Sequence, residues 1–136
     1  MQNVDWNQRY IESNTPWDSG VPSEELKQVI ASGLIKPCRV FEIGCGTGTN
    51  AIFLAKSGFE VTACDLSDVA IEKAKSKAED SGASIAFIQA DIATLEYDGA
   101  PFPFVFDRGT YHIVRKGNLV GFQNTLKRLV EPGGCY

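Results

Sequence analysis

Residues Val40 to Asn50, VFEIGCGTGTN, constrain this chain more than any other stretch. Val40 to Ile43 is a short β-branched and aromatic run, the pattern of a buried strand. Glycines follow at Gly44, Gly46 and Gly48, and a helical run begins at Ala51. A strand, a tight glycine turn and a helix N-terminus together make a site for a nucleotide. Glycine lets the backbone approach a ligand where a Cβ would clash. The helix N-terminus presents unpaired N–H groups. The spacing departs from the dinucleotide fingerprint G-x-G-x-x-G. The third glycine comes one residue early, and Thr49 stands where the fingerprint puts it. An NAD-binding unit is disfavoured on that ground.

Acids close the strands on either side of this loop. Glu42 precedes Gly44 by two positions, and the next strand-like run, Glu60 to Asp65, ends on Asp65. Asp65 follows Gly44 by 21 residues, near the ~20-residue offset at which a carboxylate accepts hydrogen bonds from ribose hydroxyls. A helix-capping role is the alternative for Asp65, but Ser67 is better placed for it, with Asp68 in the first turn. A third run, Ile85 to Ala90, is followed by Asp91. One acid after a strand is usually a turn former. Three at successive strand ends point to a ligand, because open α/β sheets bind ligands there.

Acid-x-G-x-G-x-G, here Glu42 to Gly48, resembles the first motif of class I S-adenosylmethionine (SAM) methyltransferases. The resemblance implies a cofactor site for SAM, with S-adenosylhomocysteine (SAH) as product. It places Glu42, Gly44, Cys45, Gly46, Gly48 and Asn50 around the cofactor. It gives the ribose to Asp65, with Leu66 beside it. It sets Asp91 at the adenine amino group and Ile92 against the ring. The segment Trp6…Arg9-Tyr10…Thr15-Pro16-Trp17-Asp18-Ser19-Gly20…Pro22 resembles the N-terminal arm of the thiopurine, thiol, halide and tellurite branch. In that branch an aromatic pair with this separation, here Trp6 and Trp17, folds over SAM. A sulfonium is a cation, and an aromatic face attracts cations. The simpler reading is that both rings cap the core.

The stretch Asp107-Arg108-Gly109-Thr110-Tyr111-His112 falls where the family has its fourth motif, beside the methyl group and the acceptor. There Asp107 can touch the cofactor, take a proton or position an acceptor. Arg108 can fix an anion, and Tyr111 or His112 can line the acceptor pocket. The alternatives are a local Asp107–Arg108 ion pair and a surface or helix-terminal His112. The stretch also resembles the Asp-Lys-Gly-Thr-aromatic segment of a group of protein-lysine methyltransferases. The arm is longer and carries the paired aromatics, so it weighs toward a small acceptor such as a thiol or halide. A soft nucleophile of that kind needs no strong base, which suits a chain with one histidine.

With 136 residues, the chain is expected to form one domain, an arm over 1–22 and an α/β core over 23–136. Hydrophobic content of 43% and charged content of 22% are ordinary for a globular protein. A net charge of −4 without a basic block disfavours nucleic acid. No apolar stretch nears the ~20 residues of a membrane span, and Met1 to Trp6 carries no signal-peptide core. Four cysteines lack CxxC spacing and read as reduced thiols of a cytoplasmic protein. With His112 alone, no metal site is expected.

Helices are expected from Ser23 to about Ser32, from Ala51 to Gly58, from Ser67 to about Asp80, and from Asn118 through Leu129. Strands alternating with them imply a parallel, Rossmann-like sheet in three layers, helices on both faces. Pro101 and Pro103 hold the start of a fourth strand, Phe104 to Asp107, at or outside the ladder. Pro132-Gly133-Gly134 leads into a fifth strand in the family, and here the sequence stops at Tyr136. The expectation is therefore a domain lacking its C-terminal strands, with the fourth strand an open edge that invites homodimer pairing. Two functional readings follow: an enzyme acting on a small acceptor, or a module that holds SAM or SAH without catalysis.

Overall fold

The computed structural model describes residues 4–136. Residues 1–3, the start of the segment judged free of a signal core, lie outside the described residues. Five parallel strands form one sheet in the order β3-β2-β1-β4-β5. They are β1 (Arg39–Ile43), β2 (Glu60–Asp65), β3 (Ile85–Gln89), β4 (Phe102–Asp107) and β5 (Val130–Cys135). The first three run outward from the centre. The chain then returns to place β4 against the free side of β1, pairing Ile43 with Asp107. That reversal opens a crevice beyond the C-terminal ends of β1 and β4, where open α/β sheets bind ligands.

β1 is buried on both sides, as a central parallel strand must be. Its alternate residues feed two cores. Val40 packs with Leu26, Ala51, Leu54, Val61 and Ile71, so α2 (Glu24–Ala31), α3 (Thr49–Lys56) and α4 (Asp68–Ser81) cover one face. Phe41 and Ile43 pack with Phe102, Val105, Phe122 and Leu129 on the other, beneath α6 (Leu119–Leu129). Phe41, Phe102 and Phe122 are fully buried. Truncating any one of them to alanine costs about 3–5 kcal/mol.

The local signals explain the helix ends. Ser23, Ser67 and Asn118 each accept a backbone N–H of the helix they precede, at 3.4, 3.1 and 2.9 Å. Gly82 closes α4 in the left-handed region. The apolar stripe of α4, Ala70, Ile71, Ala74 and Ala78, is its buried face.

Within the arm, Trp6–Ile11 forms α1, capped by Asp5. Two expectations change. β4 begins at Phe102 and contains Pro103. The missing N–H of Pro103 falls at a register irregularity with β5, before β1 pairing starts at Val40–Phe104. Finally, β4 is not an edge. Val130 to Cys135 pairs with it, and the edge moves out to β5. A turn-like Pro-Gly-Gly sequence hides a strand that exists through its partner. Among the described residues, no helix is long and apolar enough to cross a membrane.

Candidate active site

A cavity of about 440 Å³ opens at the C-terminal ends of β1, β2 and β4, within the range of small-ligand sites. Its floor is Glu42, Gly44, Cys45 and Gly46 from β1 and the loop after it. One wall carries Asp65, Leu66, Asp91 and Ile92. Arg108, Thr110, Ile113 and Val114 form the opposite wall, and Trp6, Tyr10 and Trp17 form the roof.

Glu42 is buried by its place in β1, and its Oε1 is the one buried side-chain oxygen or nitrogen without a partner among the described residues. Burial pushes its pKa well above the usual carboxylate range, helped by the charges of Asp65 and Asp107. The Ala51 N–H and the Asn50 side chain pull the other way without prevailing. Asp65 links two elements. It accepts the Gly46 N–H and the Ser67 N–H, both at 2.9 Å. Burial raises its pKa, against the pull of those N–H groups. Asn50 spends its Oδ1 on the Ser23 N–H at 2.8 Å, tying α3 to the start of α2.

Gly44 and Gly46 line the cavity, and the close packing around the loop accounts for the rest of the glycine pattern. A Cβ on Gly44 would collide with the Thr110 side chain, and one on Gly48 would lie 3.0 Å from Ala74 Cβ. Both have positive φ, +65° and +86°. They let the loop pack against α5 (Thr110–Val114) and α4, so Gly48 does not line the cavity at all. Only Gly46 turns its open side toward the roof, 3.1 Å from the Tyr10 hydroxyl.

Asp107 and Tyr111 also lie away from the cavity. The Asp107 carboxylate accepts the N–H groups of Gly109, Thr110 and Tyr111 at 3.2, 2.8 and 3.0 Å, closing the turn into α5. It also accepts the Tyr136 hydroxyl at 3.3 Å. No ion pair joins it to Arg108 among the described residues. The Tyr111 ring lies against Phe122 and His112. In contrast, Trp6 and Trp17 meet edge to face with centroids 5.6 Å apart, and both line the cavity. Trp17 Nε1 donates to the Tyr10 hydroxyl at 3.2 Å, and the Arg9 guanidinium lies 4.7 Å above the Trp17 ring.

Residues 40–134 match the family described as "Methyltransferase domain". This chain belongs to the SAM-dependent methyltransferase family. It is 30% identical over 128 residues to a 2-heptyl-1-hydroxyquinolin-4(1H)-one methyltransferase of Mycobacteroides abscessus, covering 93% of this chain and 56% of that one. It is 25% identical over 131 residues to a probable thiol methyltransferase 2 of Arabidopsis thaliana, covering 95% of this chain and 58% of that one. The fold superposes with a TM-score of 0.73 on a SAM-dependent methyltransferase from Geobacter sulfurreducens in complex with SAH, at 25% identity, covering 98% of this chain and 54% of that one. The chain therefore spans little more than half the length of these relatives.

The cofactor of this methyltransferase fold is SAM, and the residues present fit it. The unpartnered Glu42 Oε1 offers a buried acceptor to a cationic amino group. Asp65 and Asp91 offer carboxylates along one wall, with the Ile92 side chain buried between strand end and cavity. The roof brings the aromatic side chains of Trp6, Tyr10 and Trp17 to the cavity, where aromatic rings attract a positive charge. Sequence reasoning passed over Tyr10, whose side chain is buried beneath Trp17. Burial and the nearby Asp65 push its pKa up to about 12, so it stays a neutral phenol. It also passed over Thr47, Thr49 and Thr110. Their signal was weak: small hydroxyl residues in a glycine loop read as turn formers.

Proposed function

We propose that this chain forms the cofactor-binding part of a methyltransferase acting on a small, soft nucleophile, a thiol or halide. The observation that carries the reading is the roof: Trp6 and Trp17 pack on one another directly over the cavity. A roof of that kind leaves room for a small acceptor. Bound SAM supplies an electrophilic methyl group on a positively charged sulfur. The chain's own part is to hold and orient: Asp65, Asp91 and Ile92 on one wall, Glu42 below, the aromatic rings above. Orientation is the main protein contribution to such a transfer.

A protein-lysine acceptor would need a carboxylate free to take a proton. Asp107 is committed to three backbone N–H groups, which weighs against that reading. A non-catalytic SAM- or SAH-binding module is the second reading. A negatively charged chain without a basic block suits a small-molecule partner better than nucleic acid. Free Cys38, Cys45, Cys64 and Cys135 suit the reducing cytoplasm. Homodimer pairing would use β5, an edge strand of the sheet, and solution mass tests it.

The test is calorimetric titration with SAH, followed by SAM turnover with iodide and thiophenol. Saturable SAH binding with methylated product supports the enzyme. Binding without turnover supports the module. No binding refutes both.

A further inference from the structure

The arm that roofs the cavity is held down by polar ties to α4. Ser67 Oγ donates to Asn7 Oδ1 at 2.6 Å, and Lys73 Nζ donates to the Tyr10 carbonyl. The third tie runs through the glycine loop. Lys77 Nζ donates to Thr47 Oγ1 at 3.1 Å and to Thr49 Oγ1 at 3.0 Å. Thr47 Oγ1 donates to Asp18 Oδ2 at 2.6 Å. Thr47, Thr49 and Asp18 line the main cavity, and Lys77 does not. Lys77 lies behind the wall, in a second cavity of about 380 Å³ that shares Tyr10, Asp18 and Thr47 with the first.

The directions of these bonds are forced. An ammonium only donates, so Thr47 Oγ1 must accept from Lys77 and spend its single proton on Asp18. The lysine thereby orients the hydroxyl, and each bond in the chain polarises the next. Among the described residues, Lys77 has no carboxylate within salt-bridge distance; ion pairs there join Lys27 to Glu24 and Lys75 to Glu72. Its hydrogen-bond link to Asp18 runs through Thr47.

We propose that Lys77 is a positioning residue that locks the N-terminal arm to the glycine loop through Thr47 and Asp18, so that lid closure and cofactor-site shape are set together. The inference rests on the SAM-binding reading above for its purpose. Its geometry concerns this chain alone. A cofactor that orders the glycine loop then also favours the closed lid, and a closed lid favours the cofactor.

The test uses Lys77→Met, Asp18→Asn, the double variant and Lys77→Arg. Trp6 and Trp17 are the only tryptophans in the chain, and both sit on the arm. Acrylamide quenching of their fluorescence therefore reports lid closure without ligand. Lys77→Met is expected to raise quenching about twofold and to weaken SAH binding roughly tenfold, the scale of one charge-assisted hydrogen bond. Asp18→Asn should do the same, the double variant should be no worse than either single change, and Lys77→Arg should restore both readouts. Methionine is a good helix former, so melting should shift little; Asp18→Asn carries the test by itself if Lys77→Met fails to fold. Unchanged quenching in both single variants, or two effects that add, would overturn the proposal. Failure of the unaltered protein to bind SAH would sink the SAM-binding reading instead, leaving the quenching comparison to decide the lock.

Discussion

β2 and β4 both end in aspartate, both flank β1, and the two carboxylates do different work. Asp65 accepts one N–H from its own turn and one from Gly46 on the neighbouring loop. It lines the cavity and binds two elements into one wall. Asp107 accepts three N–H groups from the turn that follows it and closes α5. It contributes nothing to the cavity lining. Between them on β1 lies Glu42, buried and half unpartnered. Asp65 thus ties two elements into the cavity wall, whereas Asp107 holds the turn that follows it and the Tyr136 hydroxyl.

Asp65→Ala is the strongest way to break this contrast. It should weaken SAH binding by about 1–3 kcal/mol, the scale of losing hydrogen bonds to a charged group, measured by calorimetry. Affinity equal to the unaltered protein would place Asp65 with Asp107 as a mere turn former.

Glu42→Gln sharpens the contrast through pH. Burial holds the folded-state pKa of Glu42 well above the ordinary 4.5. Its contribution to stability is therefore fully present below that ordinary value and is lost as pH rises through the raised one, at up to about 1.4 kcal/mol per pH unit. The glutamine variant should lack that slope in pH-dependent denaturant melts, and should be the more stable protein at neutral pH. It should also bind SAH less tightly. In the unaltered protein, a cationic amino group beside Glu42 favours the carboxylate, so binding should release a proton, seen as buffer-dependent calorimetric heat. A variant with the same pH slope as the unaltered protein would show that Glu42 ionises freely.

Asp107→Ala is the converse of the first change. It should cost about 0.5–2 kcal/mol of stability, the value of a helix cap, and leave SAH affinity within about twofold of the unaltered protein. A large loss of affinity at unchanged stability would return Asp107 to the site. Tyr136→Phe, which removes one exposed hydrogen bond to Asp107, should move stability by no more than about 0.5 kcal/mol.

Much of the site was legible because it is local. Glu42 lies near the end of β1 with Gly44, Cys45 and Gly46 in the loop after it, and Asp65, Leu66, Asp91 and Ile92 sit at or just after the ends of strands whose alternation with helices is plain. The illegible parts are distant contacts. Tyr10 enters the roof by meeting Trp17 and Gly46. Gly48 packs closely on Ala74, a contact with another helix that no local signal reveals. β5 reads as a turn because Pro132, Gly133 and Gly134 are poor strand formers, and it forms where β4 offers unpaired backbone groups.

Spacing along the chain settles which elements form and in what order, since a helix cap, a stripe of apolar residues or a glycine turn depends on neighbours within a few positions. It also settles the family, through one loop and the acids that follow it. Whether a given Asp is a ligand or a cap, and whether a glycine faces cofactor or helix, depends on atoms dozens of residues away. Those atoms meet only when the sheet has assembled, because burial and pairing across strands, not local propensity, decide which polar groups are satisfied and which remain to hold a ligand.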